Sequence, residues 1–168
     1  KGDTSKIYIT YPNFPKDVEV GDKIMLDDGK LILKAENSNK KNEVQAVVIQ
    51  GGELKSKKGV NLPNTKISLP CLTSKDLADL EFALETGIEW IGLSFVRSVN
   101  DIKELQKIIS EKKSPAKIVA KIEKPEAIQQ IDAIIKKSDA IMVARGDLGV
   151  EVAMERVPNL QKMITRKC

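Results

Sequence analysis

From about residue 70 onward the chain alternates short apolar runs with amphipathic ones, and this rhythm limits its fold more than any other feature. Residues 88–96, 117–123 and 140–145 are apolar over much of their length and read as strands. Before the first of them, residues 73–85 place Leu77, Leu80 and Leu84 on one helical face and stop at Gly87. Ser98 then precedes a segment carrying Ile102, Leu105 and Ile109, and Pro125 opens one carrying Ala127, Ile128, Ile131, Ile134 and Ile135. Serine or threonine at the head of a helix, proline in its first turn and glycine past its end are the expected boundary residues. A last amphipathic segment begins at Val157. Strands joined through helices lie parallel with right-handed crossovers, and strands apolar on both faces suit a doubly wound sheet or a (β/α)8 barrel. Three such strands leave two long edges unpaired. The expectation is therefore part of a longer α/β enzyme, ending inside an uncapped helix.

Residues 1–68 have a different texture. Ile7-Tyr8-Ile9-Thr10-Tyr11, Lys23-Ile24-Met25-Leu26, Leu31-Ile32-Leu33 and the stretch 43–50 read as short strands. Asp28-Gly29 between two apolar runs signals a hairpin, because both residues tolerate positive φ. This part predicts a small β-barrel or sandwich, with the domain boundary near residue 68 and the α/β part spanning 69–168.

Composition removes several function classes. The chain holds no histidine, which excludes a Cys/His zinc site and any Ser-His-Asp or Cys-His mechanism within it, and Cys71 and Cys168 lack metal-ligand spacing. Lysine and arginine exceed aspartate and glutamate by only 28 to 24 and are spread along the chain, which fits a solvated surface and not a nucleic-acid partner. No apolar run approaches the roughly 20 residues of a membrane span, and the charged start is no signal peptide. A cytoplasmic setting without membrane contact is expected.

Chemistry gathers at the strand ends. Period-two alternation puts Val119, Lys121 and Glu123 on one face, so the strand finishes by aiming a cation and a carboxylate together. The next strand runs into Gly146-Asp147, a second carboxylate beside a glycine that lets a ligand approach the backbone. In parallel α/β folds the ligand sits beyond these carboxyl ends. One or two carboxylates with substrate oxygens and water suffice for magnesium, and Lys121, roughly 6–7 Å deeper along the strand, can stabilise charge on a phosphoryl or enolate oxygen. A lone Lys-x-Glu also reads as a plain ion pair. The second carboxylate after a strand-ending Arg-Gly favours a site.

These residues carry a family resemblance. Lys121-Ile122-Glu123, the run from Ile141 to Glu151 around Arg145-Gly146-Asp147, Gly92-Leu93-Ser94-Phe95-Val96-Arg97 and Lys57-Lys58-Gly59-Val60-Asn61-Leu62-Pro63 resemble the pyruvate kinases in that family's order. The resemblance implies a partial (β/α)8 TIM barrel, residues 69–168, with most of an inserted small all-β lid domain, residues 1–68. It implies Mg2+ or Mn2+ on Glu123 and Asp147, with Lys121 catalytic and Lys121, Gly146 and Asp147 meeting phosphoenolpyruvate or pyruvate. Lys58 and Asp28 are implied contacts of ADP or ATP. A K+ ligand set, a substrate-binding arginine, a proton-donating threonine, the regulatory domain and the contacts of a homotetramer are implied outside this chain. Arg145 is implied to be structural or to make a subunit contact.

Two positions depart from the family's pattern. Asn64 stands where glycine is common, and Lys124-Pro125 replaces a more usual polar pair after the glutamate. Two other readings compete: a metal-dependent pyruvate-type aldolase or lyase barrel, which would resemble the second part alone, and a non-catalytic binding fragment. The isolated piece is expected to be inactive.

Overall fold

The computed structural model describes residues 2–63 and 65–168, so Asn64 lies outside the described residues. The chain divides into two units, Lys1–Ser68 and Leu69–Cys168.

In the first unit, helix α1 (Phe14–Asp17) precedes four strands, β1 (Lys23–Leu26), β2 (Leu31–Ser38), β3 (Val44–Gln50) and β4 (Val60–Asn61), ordered β3-β2-β1-β4 and antiparallel throughout. β1 and β2 form the expected hairpin, with Leu26 opposite Leu31. Its loop holds Asp27, Asp28 and Gly29 at φ of 50°, 56° and 83°, a left-handed run that aspartate and glycine accept at low steric penalty. Ile24, Leu26, Leu31 and Ala35 turn to one side of the sheet, where Phe14, Val18 and Leu62 complete a small core. The unit is thus one sheet closed by a short helix, in place of the barrel or sandwich read from its strands. Ile7–Tyr11 is not a strand either: Ile7 and Tyr8 are exposed and the segment joins no ladder. β propensity without a pairing partner does not make a strand.

The second unit alternates as its sequence requires: α2 (Ser74–Glu85), β5 (Trp90–Leu93), α3 (Val99–Glu111), β6 (Lys117–Ile122), α4 (Pro125–Gln129), α5 (Ile131–Lys137), β7 (Ala140–Val143), α6 (Arg145–Glu151) and α7 (Val157–Lys167). The strands form an open parallel sheet in the order β5-β6-β7. Thr73 and Ser98 each close a reciprocal capping box, with Asp76 and Asp101, which fixes where α2 and α3 begin. On β6, Ile118, Ala120 and Ile122 are buried and pack with Leu84, Ile102, Leu105, Ile134 and Ile164 from the helices. Val119 and Lys121 take the other face, beside exposed Trp90 and Met142.

Several boundaries moved. Leu77 is 41% exposed, so the buried stripe of α2 rests on Leu80 and Leu84. The helix expected after Pro125 breaks at Gln130 (φ −112°, ψ 17°) into α4 and α5. β5 stops at Leu93 because Phe95 turns to φ 55°, and β7 stops at Val143, so Gly146 and Asp147 lie in the first turn of α6 and not on a strand.

Candidate functional site

At the carboxyl end of β6 the alternation of the strand delivers Lys121 and Glu123 to one place. Lys121 Nζ lies 2.7 Å from Glu123 Oε1, and it also donates to Ser94 Oγ at 2.8 Å. The other oxygen of Glu123 accepts the backbone N–H of Phe95 at 2.9 Å. That N–H is available because the left-handed turn at Phe95 ends β5 one residue past Ser94. Gly92 lies beside this side chain: a Cβ there would stand in ordinary contact, 3.9 Å from Cδ of Lys121. The lysine stem thus lies along the glycine, and its head reaches up to the glutamate, bridging the strand repeat expected to separate them.

The Glu123 carboxylate is 2% exposed and Lys121 26% by side chain. An ammonium has three donor protons, and two of those on Lys121 are spent on Glu123 and Ser94. One remains for a ligand. A carboxylate has about four lone-pair sites, so two donors leave Glu123 able to ligate a hard cation.

The neighbouring strand brings the second carboxylate. Ala144 donates its backbone N–H to Ile122 O at 3.3 Å, which locks the start of α6 beside the end of β6. Asp147 follows in the first turn of α6, exposed, where the helix N-terminus favours negative charge. Gly146 is exposed and a Cβ on it would meet nothing within 4 Å, so the backbone there is open to a ligand. Arg145 is exposed in the same turn. Among the described residues no three carboxylate or thiol side chains cluster tightly enough to cage a metal by themselves. A magnesium ion needs fewer protein ligands than that, and the all-oxygen donors here fit it.

Sequence reasoning placed Ser94 and Phe95 in a motif at a strand end but gave them no role. The approach of Ser94 and the Phe95 N–H to Lys121 and Glu123 depends on a turn that no motif announces. Lys124, noted only as a departure from a pattern, donates to Glu151 Oε1 at 2.6 Å, with both side chains buried.

In the first unit the hairpin loop forms a separate charged cluster. Asp27, with its side chain 12% exposed, lies 3.0 Å from Lys58 Nζ and 3.1 Å from Lys30 Nζ. The Lys58 ammonium, aided by that of Lys30, holds the Asp27 carboxyl below the usual carboxylate range. Asp27 N also donates to Gly59 O, so the loop and the Lys57-Lys58-Gly59 turn are joined by backbone as well as charge. Lys58 therefore meets Asp27, while Asp28, the residue singled out from sequence, is exposed.

The family model described as the barrel domain of pyruvate kinase matches residues 1–168. The chain belongs to the pyruvate kinase family. It is 44% identical to the pyruvate kinase of Staphylococcus epidermidis over 100% of this chain, 44% identical to that of Geobacillus stearothermophilus over 99%, and 43% identical to that of Staphylococcus aureus over 100%. In each case the chain spans 29% of the relative's length. Because the match includes the β-rich first unit, it leaves the aldolase reading, which would resemble the second part alone, without support. No helix among the described residues is long and apolar enough to cross a membrane.

Proposed function

We propose that this chain supplies the metal-holding and charge-stabilising half of a pyruvate kinase active site, in an enzyme that moves a phosphoryl group from phosphoenolpyruvate to ADP. The observation that carries the reading is the Lys121–Glu123 pair, fixed at a parallel strand end, with Asp147 presented by the helix that follows the adjacent strand. In this reading the second unit is part of a (β/α)8 barrel and the first is the body of its lid.

Glu123 and Asp147 hold Mg2+ or Mn2+, which when bound neutralises charge on the substrate oxygens. The Gly146 backbone, open to approach, meets the carboxylate end of phosphoenolpyruvate. Lys121 uses its remaining donor on the transferring phosphoryl group and then on the enolate oxygen. A β-phosphate oxygen of ADP takes the phosphorus, the bond to the enol oxygen breaks, and protonation of the enolate gives pyruvate. Such a transfer depends on positioning and neutralised charge, which an ammonium and two carboxylates provide without histidine. Lys58 serves the nucleotide phosphates at the lid, leaving Asp27 for them, and Asp28 lies near the nucleotide. K+ and a homotetrameric contact come from residues elsewhere in the parent, and a cytoplasmic location fits the family.

The test is Mn2+ binding and coupled pyruvate formation in the full-length enzyme and its Glu123→Gln variant. The expected result is loss of tight Mn2+ binding together with turnover; normal values of both in the variant would remove Glu123, and with it this reading, from consideration. The 168-residue chain alone should give no pyruvate.

A further inference from the structure

Lys124 takes no part in the site as described, yet it is more deeply buried than Lys121. It is 7% exposed, as is Glu151, and the two meet at 2.6 Å. A buried ion pair is a weak source of stability, because removing two charges from water offsets much of their attraction. Its geometry is more telling. Glu123 and Lys124 are consecutive, and Lys124 has an extended backbone (φ −115°, ψ 144°), so their side chains diverge. Glu123 is held by the Phe95 N–H just beyond β5. Lys124 reaches the other way, to the last residue of α6 beyond β7. One dipeptide at the end of the central strand is thereby tied to both neighbours.

Asp147 and Glu151 lie four residues apart in α6, one turn along the same face. Whatever fixes Glu151 fixes the turn that presents Asp147. We propose that Lys124 and Glu151 are a positioning pair: by holding α6 against the loop that follows β6, they set the separation at which Glu123 and Asp147 meet a divalent cation. The inference rests on the metal-site reading above. Neither residue touches the metal or the substrate in it; both act through the backbone of α6.

The experiment is a titration of the full-length enzyme with Mn2+ alone, followed by the electron paramagnetic resonance signal of free Mn2+, with a melting temperature for every variant. Glu123→Gln and Asp147→Asn are expected to abolish tight binding. Lys124→Met and Glu151→Gln are expected to weaken it about tenfold, as outer partners of metal ligands commonly do, while Lys124→Arg, which keeps charge and reach, stays within about threefold of wild type. A lowered melting temperature with an unchanged Mn2+ isotherm in both Lys124→Met and Glu151→Gln would overturn the proposal. Should Lys124→Met not fold, Glu151→Gln, which keeps an oxygen for Lys124, decides alone. If instead Glu123→Gln and Asp147→Asn bind Mn2+ normally, the metal-site reading falls and the positioning role with it. That pattern is distinct from loss in those two alone, which refutes only the pair.

Discussion

Lys121 and Glu123 stand two residues apart at the end of β6 and meet at 2.7 Å, with the carboxylate almost wholly enclosed. The Phe95 N–H on the second oxygen means that Glu123 keeps one donor if the lysine is lost. A purely structural pair and a catalytic one therefore differ in what a substitution of Lys121 moves. In the first case stability falls and turnover of the folded enzyme does not; in the second turnover falls far more than stability.

Lys121→Met in the full-length enzyme is expected to lower kcat for pyruvate formation by about 10²–10³-fold, the usual effect of deleting a donor aimed at transition-state charge. Far-ultraviolet circular dichroism should be unchanged. Ser94→Ala, which removes only the hydroxyl that helps to orient the ammonium, should lower kcat by about tenfold at most. A normal kcat in Lys121→Met, with a lowered melting temperature, would leave the pair structural.

The Asp27 cluster gives a pH prediction. Lys58 is the largest influence depressing the Asp27 carboxyl below its ordinary 3.8. A carboxyl depressed in the folded state contributes stability above its unfolded value and loses it as pH falls through the folded one. Side-chain carbonyl NMR should therefore show Asp27 titrating below the ordinary value, with Lys58→Met moving the midpoint upward. Addition of ADP should shift it the same way if the nucleotide draws Lys58 away. An Asp27 midpoint indifferent to Lys58→Met would contradict the ion pair.

Much of this was legible because it follows from periodicity. The alternation of β6 put Lys121 and Glu123 on one face, and the capping residues Thr73 and Ser98 marked their helices. What was not legible depends on where the chain turns in space. Phe95 carries no sign of its positive φ, yet that turn shortens β5 and presents the N–H that holds Glu123. Asp28 was singled out by the family resemblance of its hairpin segment, whereas the ion pair of Asp27 with Lys58 depends on the left-handed run through that loop. Ile7 and Tyr8 have strand propensity and no strand to pair with. Lys124 and Glu151 are far apart in sequence, and only the adjacency of β6 and β7 brings them together.

The exposure of Leu77 separates the helical pattern from actual burial on α2. Leu80→Ala, deleting a side chain only 7% exposed from the core, should cost about 2–4 kcal/mol of unfolding free energy. Leu77→Ala, at 41% exposure, should cost under about 1 kcal/mol. Urea denaturation of the two variants checks the ranking, and equal losses would place Leu77 back in the core stripe.

The two cysteines should differ in reactivity. The Cys71 sulfur lies 3.6 Å from Ser94 O, and burial, with Asp101 nearby, pushes its thiol up to about 12. At pH 8 that leaves on the order of one molecule in ten thousand as the nucleophilic thiolate. Cys168 is exposed. Brief treatment with iodoacetamide at pH 8, read by peptide mass spectrometry, should label Cys168 and leave Cys71 free. In urea, where the burial that raises the Cys71 thiol is gone, both should react at similar rates. Because the thiolate fraction grows tenfold per pH unit below the folded value, native Cys71 labelling should rise steeply between pH 8 and 10. Rapid native labelling of Cys71 at pH 8 would show that the segment between Leu69 and α2 opens far more readily than its packing against the end of β5 implies.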